Sequence, residues 1–63
     1  MEPTSAQMVA VSYYGSLTAI DPKTGYATFA DGTVVDRSGF VIDPATGQQL
    51  QYNYDTGQME LFS

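Results

Sequence analysis

The sequence predicts an all-β fold, a small antiparallel meander of about five to seven short strands joined by Asp/Pro/Gly turns, with an extended N-terminal arm. Two observations lead to this prediction. The glycines at positions 15, 25, 32, 39, 47 and 57 have the spacing of strands that alternate with turns. The runs between them are short and rich in Val, Ile, Thr, Tyr and Phe, so no window is predicted to form a helix.

The chain length predicts one domain with a small core. A chain of 63 residues buries only about 60% of the surface that its unfolded form exposes. We divide it into an extended arm, residues 1–7, and a single small β domain, residues 8–63. Because the sequence contains no Cys, disulfides cannot stabilise this core, and we expect oligomerisation or docking on a larger partner to do so.

The N-terminal part is predicted to be extended and then to form a strand. Residues 1–7 are polar, contain Pro3 and have no periodicity, which is typical of an arm. In residues 8–14, Val9, Val11 and Tyr13 alternate with smaller or more polar side chains. That period of two predicts a strand.

The middle of the chain reads as a hairpin followed by a short strand. Residues 16–20 and 26–30 flank a turn in which the Asp21 carboxylate is expected to accept hydrogen bonds from backbone amides and Gly25 to adopt a left-handed conformation. Turns are also predicted at residues 31–32 and 36–39, on either side of a β-branched run at residues 33–35.

The C-terminal part, residues 39–63, contains three apolar-bearing runs and two turns that each end in Gly. Residues 42–47 repeat the turn of residues 20–25, both reading Ile-Asp-Pro-x-Thr-Gly. Residues 39–47 also resemble the hairpin part of plakin repeats. Those repeats continue into helices, which the residues after Gln48 do not support, so the likeness covers one turn and implies no family.

The last hairpin has two possible registers. A three-residue loop would place Tyr52 opposite Glu60, whereas a four-residue loop at residues 54–57 places Tyr52 opposite Met59 and Leu50 opposite Leu61. We prefer the four-residue loop because it separates apolar from polar side chains.

The same loop length at residues 44–47 pairs Val41 with Leu50 and leaves Phe40 and Ile42 on a face with Gln49. Both faces of this sheet then carry apolar groups. Either a second layer from residues 8–35 covers that face, or a partner does.

Charge and composition exclude several classes of function. Seven acidic and two basic residues give a net charge of -5, which disfavours nucleic acid and anionic membranes as partners. The chain lacks His and Cys, the commonest bases, nucleophiles and metal ligands. Residues 55–57 resemble the Asp-Thr-Gly signature of aspartic proteases, but we interpret them as a hairpin turn. We therefore predict no enzyme, and no catalytic, cofactor or metal site.

The predicted strands carry one charge, Glu60, and all other acidic and basic residues lie in turns or the arm. Soluble sheets usually protect their edges with charges or proline, so these uncharged edges favour pairing with another subunit. Aromatic and apolar side chains then become candidates for an interface: Tyr13, Tyr14, Phe40, Ile42, Tyr52, Tyr54 and Phe62.

These observations predict a non-enzymatic structural protein that works by assembly. The abundance of Gly, Thr, Gln and Tyr with little Lys is similar to small accessory proteins of bacteriophage virions, of the capsid decoration or cement type. That likeness implies copies of the chain or a larger shell protein as partners, and a virion location after assembly in the host cytoplasm. The alternative is a small acidic inhibitor or adaptor, otherwise cytoplasmic, that binds one host protein.

Overall fold

The computed structural model describes residues 2–61 and contains one helix and five strands. The strands form two antiparallel sheets, so the broad prediction of a β-rich fold is confirmed, with one helix added. The elements follow one another as α1 (Ser5–Tyr14), β1 (Leu17–Ile20), β2 (Ala27–Phe29), β3 (Val34–Val35), β4 (Leu50–Asn53) and β5 (Gln58–Leu61).

The helix corrects the N-terminal prediction. Residues 8–14 are helical and not a strand, and the helix begins at Ser5, inside the predicted arm. Its start is stabilised by a capping box: the Thr4 hydroxyl accepts from the Gln7 amide at 3.2 Å, and the Gln7 side chain accepts from the Thr4 amide at 2.9 Å. These bonds satisfy backbone N–H groups that a helix start leaves unpaired, and packing of one helix face outweighs the strand preference of the valines.

The first sheet has the order β1-β2-β3 and contains the predicted hairpin. Ile20 pairs with Ala27, and the register shifts between Leu17 and Ala19. In the turn, the Asp21 carboxylate accepts from the Lys23 amide at 2.7 Å, as predicted. This carboxylate therefore fixes the turn locally.

The second sheet is the hairpin β4-β5, and the predicted four-residue loop is confirmed. Tyr52 pairs with Met59 and Leu50 with Leu61. Residues 50–61 are called the terminal hairpin from here on. Isolated bridges between Val35 and Val41 and between Ile42 and Gln49 connect β3 to this hairpin through residues 41–42.

Three loops share one structure, in which an Asx side chain accepts a hydrogen bond from the amide two residues on and the Asx carbonyl accepts one from a left-handed glycine four residues on. The first two are the Ile-Asp-Pro-x-Thr-Gly turns. The third has Asn in place of Asp. The pairs are Asp21 with Gly25, Asp43 with Gly47 and Asn53 with Gly57.

The core lies between α1 and the first sheet. Ala10 of the helix packs with Ala27, Phe29 and Val35, all of them buried. Around this cluster lie the half-buried side chains of Val11, Tyr14, Leu17 and Val41. The helix therefore covers the first sheet.

Buried polar contacts fix the helix in place. The Gln7 side chain is 1% exposed and its amide nitrogen donates to the carbonyls of Gly25 at 2.8 Å and Asp36 at 3.1 Å. The Thr4 hydroxyl donates to the Arg37 carbonyl at 2.8 Å. Because these carbonyls belong to turns of the first sheet, the start of the helix is bonded directly to it.

Candidate interaction surface

The terminal hairpin has an apolar face that the described residues do not cover. Leu50, Tyr52, Met59 and Leu61 form this hairpin face, and the last three are 43%, 42% and 56% exposed. In the first sheet, by contrast, Phe29 is 1% exposed. Four apolar side chains on one side of an unprotected hairpin are typical of a binding surface.

The hairpin face continues the apolar face that α1 covers. Direct partners in an antiparallel ladder lie on the same side of a sheet. Ala27 pairs with Val35, and Val35 with Val41. The Leu50 amide donates to the Val41 carbonyl at 2.8 Å, and Leu50 pairs with Leu61. One apolar face thus runs through the whole meander, and the helix covers only its first part.

The helix has a second apolar surface on its outer side. Met8, Val9 and Tyr13, which form this outer helix face, are 51%, 60% and 75% exposed. No residue from 5 to 14 is charged. A helix that carries apolar side chains on both sides is usually covered on both sides.

The face that carries Phe40, Ile42 and Gln49 is partly covered by other residues of the chain. Ile42 pairs with Gln49, as predicted, and is 3% exposed. Its burial requires no partner, so Ile42 is not on an accessible surface. Phe40 remains 51% exposed. The Tyr26 hydroxyl lies beside the neighbouring loop, because a Cβ atom added at Gly47 would be 3.3 Å from it.

The predicted interface residues fall on several elements. Tyr13 is exposed on the outer helix face, while Tyr14 is half-buried and packs on Phe29 with ring centroids 6.0 Å apart. Tyr52 and Tyr54 meet edge to face on the terminal hairpin, with centroids 4.8 Å apart, and Tyr54 is 89% exposed.

Phe62 lies outside the described residues. Four exposed apolar residues are additions to the predicted set. The four-residue loop already places Met59 opposite Tyr52 and Leu61 opposite Leu50, so the sequence was sufficient to identify these two. Met8 and Val9 share an exposed side only when residues 5–14 form a helix, whereas the predicted strand placed them on opposite faces.

A concavity of about 480 Å³ opens on the terminal hairpin, lined by residues 51–55, Glu60 and Leu61. The Glu60 carboxylate accepts from the Asn53 side-chain amide at 2.9 Å and from the Thr56 hydroxyl at 3.3 Å. Both donors are neutral, and residues 48–61 contain no Lys or Arg. The concavity therefore combines tyrosines with a positioned negative charge.

The Asp-Thr-Gly triplet lies in the hairpin loop, where the Asp55 amide donates to the Asn53 side chain at 2.8 Å. Among residues 2–61, no three His, Cys, Asp or Glu side chains are grouped closely enough to hold a metal ion. None of the helical segments that the structure describes has the length and apolar character needed to cross a membrane.

Residues 2–61 form a small β-rich module in which a helix covers one sheet and none of these residues covers the apolar face of the terminal hairpin. Comparisons of the chain with protein-family models, with curated proteins and with solved structures gave no match.

Proposed function

We propose that this chain is a non-enzymatic assembly protein that binds neighbouring protein subunits through its terminal hairpin. The observation that supports this proposal is the uncovered hairpin face of Leu50, Tyr52, Met59 and Leu61. The partners are copies of the chain or a larger shell protein.

Physical chemistry favours a covered hairpin. An isolated two-stranded hairpin is marginally stable in water, because its apolar side chains gain little from contact with each other alone. Apolar surface removed from water contributes about 25 cal/mol per Å². A partner on the hairpin face would therefore stabilise the hairpin and gain affinity through the same contacts.

The proposed setting is a virion, with the chain as a decoration or cement protein assembled in the host cytoplasm. This part rests on the composition of the chain. Protein analysis of purified particles tests it: a fixed number of copies per shell subunit is expected, and particles that lack the chain would contradict the virion setting.

Size-exclusion chromatography with light scattering tests the role of the hairpin. We expect the native chain to associate with copies of itself or with its shell protein. The double variant Met59→Thr, Leu61→Thr is expected to lose that association while its circular dichroism is retained. The comparison variant Met8→Thr exchanges a similarly exposed methionine on the outer helix face, the second candidate surface, and is expected to retain the association.

If the two variants lose association equally, the hairpin is not the specific contact. A native chain that is a stable monomer and binds one soluble target protein would contradict assembly and support an inhibitor or adaptor.

A further inference from the structure

We infer that the partner supplies an extended segment with alternating apolar and basic side chains, which adds to the free edge of β5 as a further strand. This inference rests on the proposed function, because it assumes that the terminal hairpin is the binding element. It specifies the chemistry of the partner.

The backbone at the edge of β5 is arranged for pairing. The Leu50 amide donates to the Val41 carbonyl, on the side of β4 that faces away from β5. Leu50 with Leu61, and Tyr52 with Met59, are therefore the non-hydrogen-bonded pairs of the hairpin. In such pairs the N–H and C=O groups of Met59 and Leu61 point outward. Within residues 2–61, β4 is the sole strand neighbour of β5.

The other free edge, β1, is less suited to strand addition. Its register is interrupted between Leu17 and Ala19, and the Thr18 hydroxyl donates to the Thr28 carbonyl at 3.0 Å. Such irregularities protect edge strands against pairing. The β5 strand keeps a regular register from Gln58 to Leu61. An added strand can therefore form a regular backbone ladder at the edge of β5.

The two faces of β5 determine the pattern of the incoming strand. Its residues opposite Met59 and Leu61 extend the hairpin face, so apolar side chains fit there. The residue between them stands opposite Glu60, on the other face. Asn53 and Thr56 hold the Glu60 carboxylate without neutralising it. Opposite charges on directly facing residues stabilise an antiparallel pair, so Lys or Arg fits at that position.

A second copy of the chain fits this edge less well. Two antiparallel registers match the outward-pointing groups of Met59 and Leu61. In one, Met59 faces Leu61 of the other copy and the two Glu60 side chains face each other. In the other, the two Met59 residues face each other and Glu60 faces the neutral Gln58, so it gains no opposite charge. Like charges on directly opposite residues destabilise a pair. Each copy also has a net charge of -5. A different protein with a basic strand is therefore the better occupant.

Nuclear magnetic resonance titration of the full, 15N-labelled chain tests this inference. The probes are two nine-residue peptides, one alternating valine with arginine and the other alternating valine with glutamine. We expect the arginine peptide to shift the amide signals of Met59, Glu60 and Leu61, and to bind about two- to five-fold more tightly per facing charge pair.

Two altered chains, one of them with a matched control, separate the effect of charge from that of backbone pairing. Glu60→Gln is expected to remove the preference for arginine, while Asp31→Asn makes the same charge change in a distant turn and is expected to retain it. A synthetic chain with an N-methyl group on the Leu61 nitrogen loses only an outward-pointing donor, so its own hairpin is expected to form while peptide binding falls at least several-fold.

Equal binding of both peptides, or peptide binding unaffected by the N-methyl group, would overturn the inference. Failure of the peptides to bind β5, in a chain whose assembly depends on Met59 and Leu61, would also overturn it and leave the proposed function intact. Assembly that is insensitive to those two residues would instead contradict the proposed function.

Discussion

The helix-covered sheet and the terminal hairpin are built from the same local elements but end in opposite environments. Both contain a four-residue loop that an Asx side chain and a left-handed glycine close, at Asp21 and Asn53 respectively. Both place apolar side chains on one face. Yet Val35 is fully buried, whereas Leu61 is 56% exposed. The turns and the strand register thus form in the same way with or without burial. The first sheet is buried because α1 packs on it.

The largest expected difference between the regions is the response to truncation of an apolar side chain. Phe29→Ala removes a ring that is 1% exposed and is expected to lower the free energy of unfolding by about 3–5 kcal/mol. Met59→Ala, on the hairpin face, is expected to cost less than about 1 kcal/mol. Urea denaturation followed by circular dichroism measures both, and equal losses would show that the hairpin face is covered in solution.

The next largest effect concerns the polar attachment of the helix. Gln7→Met keeps a side chain of similar length but removes the donor to the Gly25 and Asp36 carbonyls. Leaving the Gly25 carbonyl without this donor and the Thr4 amide without its acceptor is expected to cost about 2–4 kcal/mol in total. The Asp36 carbonyl still accepts from the Gly39 amide at 3.0 Å. The exposed Gln51→Met is the control, with a change of less than about 0.5 kcal/mol. Similar melting curves for both variants would contradict the role of Gln7.

A smaller effect tests the contact between the helix and a turn of the first sheet. Gly39 has φ +90°, and a Cβ there would lie 2.9 Å from the Ala6 Cβ. Gly32 has φ +92° with nothing within 4 Å of such a Cβ. Alanine at either position strains the backbone by about 1–2 kcal/mol. Gly39→Ala is expected to cost about 1–3 kcal/mol more, because it also displaces the helix. Equal melting temperatures would contradict this contact.

The last prediction concerns local opening. The Glu60 amide lies in a hairpin that no layer from residues 2–61 covers. It is expected to exchange its hydrogen at least about ten-fold faster than the Phe29 amide, after correction for intrinsic rates. The Phe29 amide donates to the Thr33 carbonyl at 2.9 Å beneath the helix. Hydrogen exchange of the free chain measures both, and a bound partner is expected to slow exchange at Glu60. Equal protection in the free chain would remove the distinction between the two regions.

The turns were predictable because their chemistry is local. Asp21 and Gly25 are four residues apart, and the loop length then sets which residues face each other. The candidate surface was predictable where it depends on local register, and not where it depends on tertiary packing. Tyr52 and Tyr54 lie on the hairpin that the register argument specified, whereas the burial of Ile42 depends on the packing of the whole chain.

The helix was missed although its start had a signal. Thr4 and Gln7 have the spacing of a capping box, but the alternation of Val9, Val11 and Tyr13 suggested a strand. The same residues satisfy both patterns over a short window. Contacts with distant turns decide between them: Gln7 bonds to carbonyls 18 and 29 residues away.

By itself, the sequence determined the positions of the turns and the register of the last two hairpins, since both depend on residues within a few positions of one another. Tertiary structure alone decided that residues 5–14 are a helix and that this helix covers the first part of a continuous apolar face. Burial depends on which segments meet in space, and the alternating pattern of Leu50 and Tyr52 is the same whether a layer covers it or not.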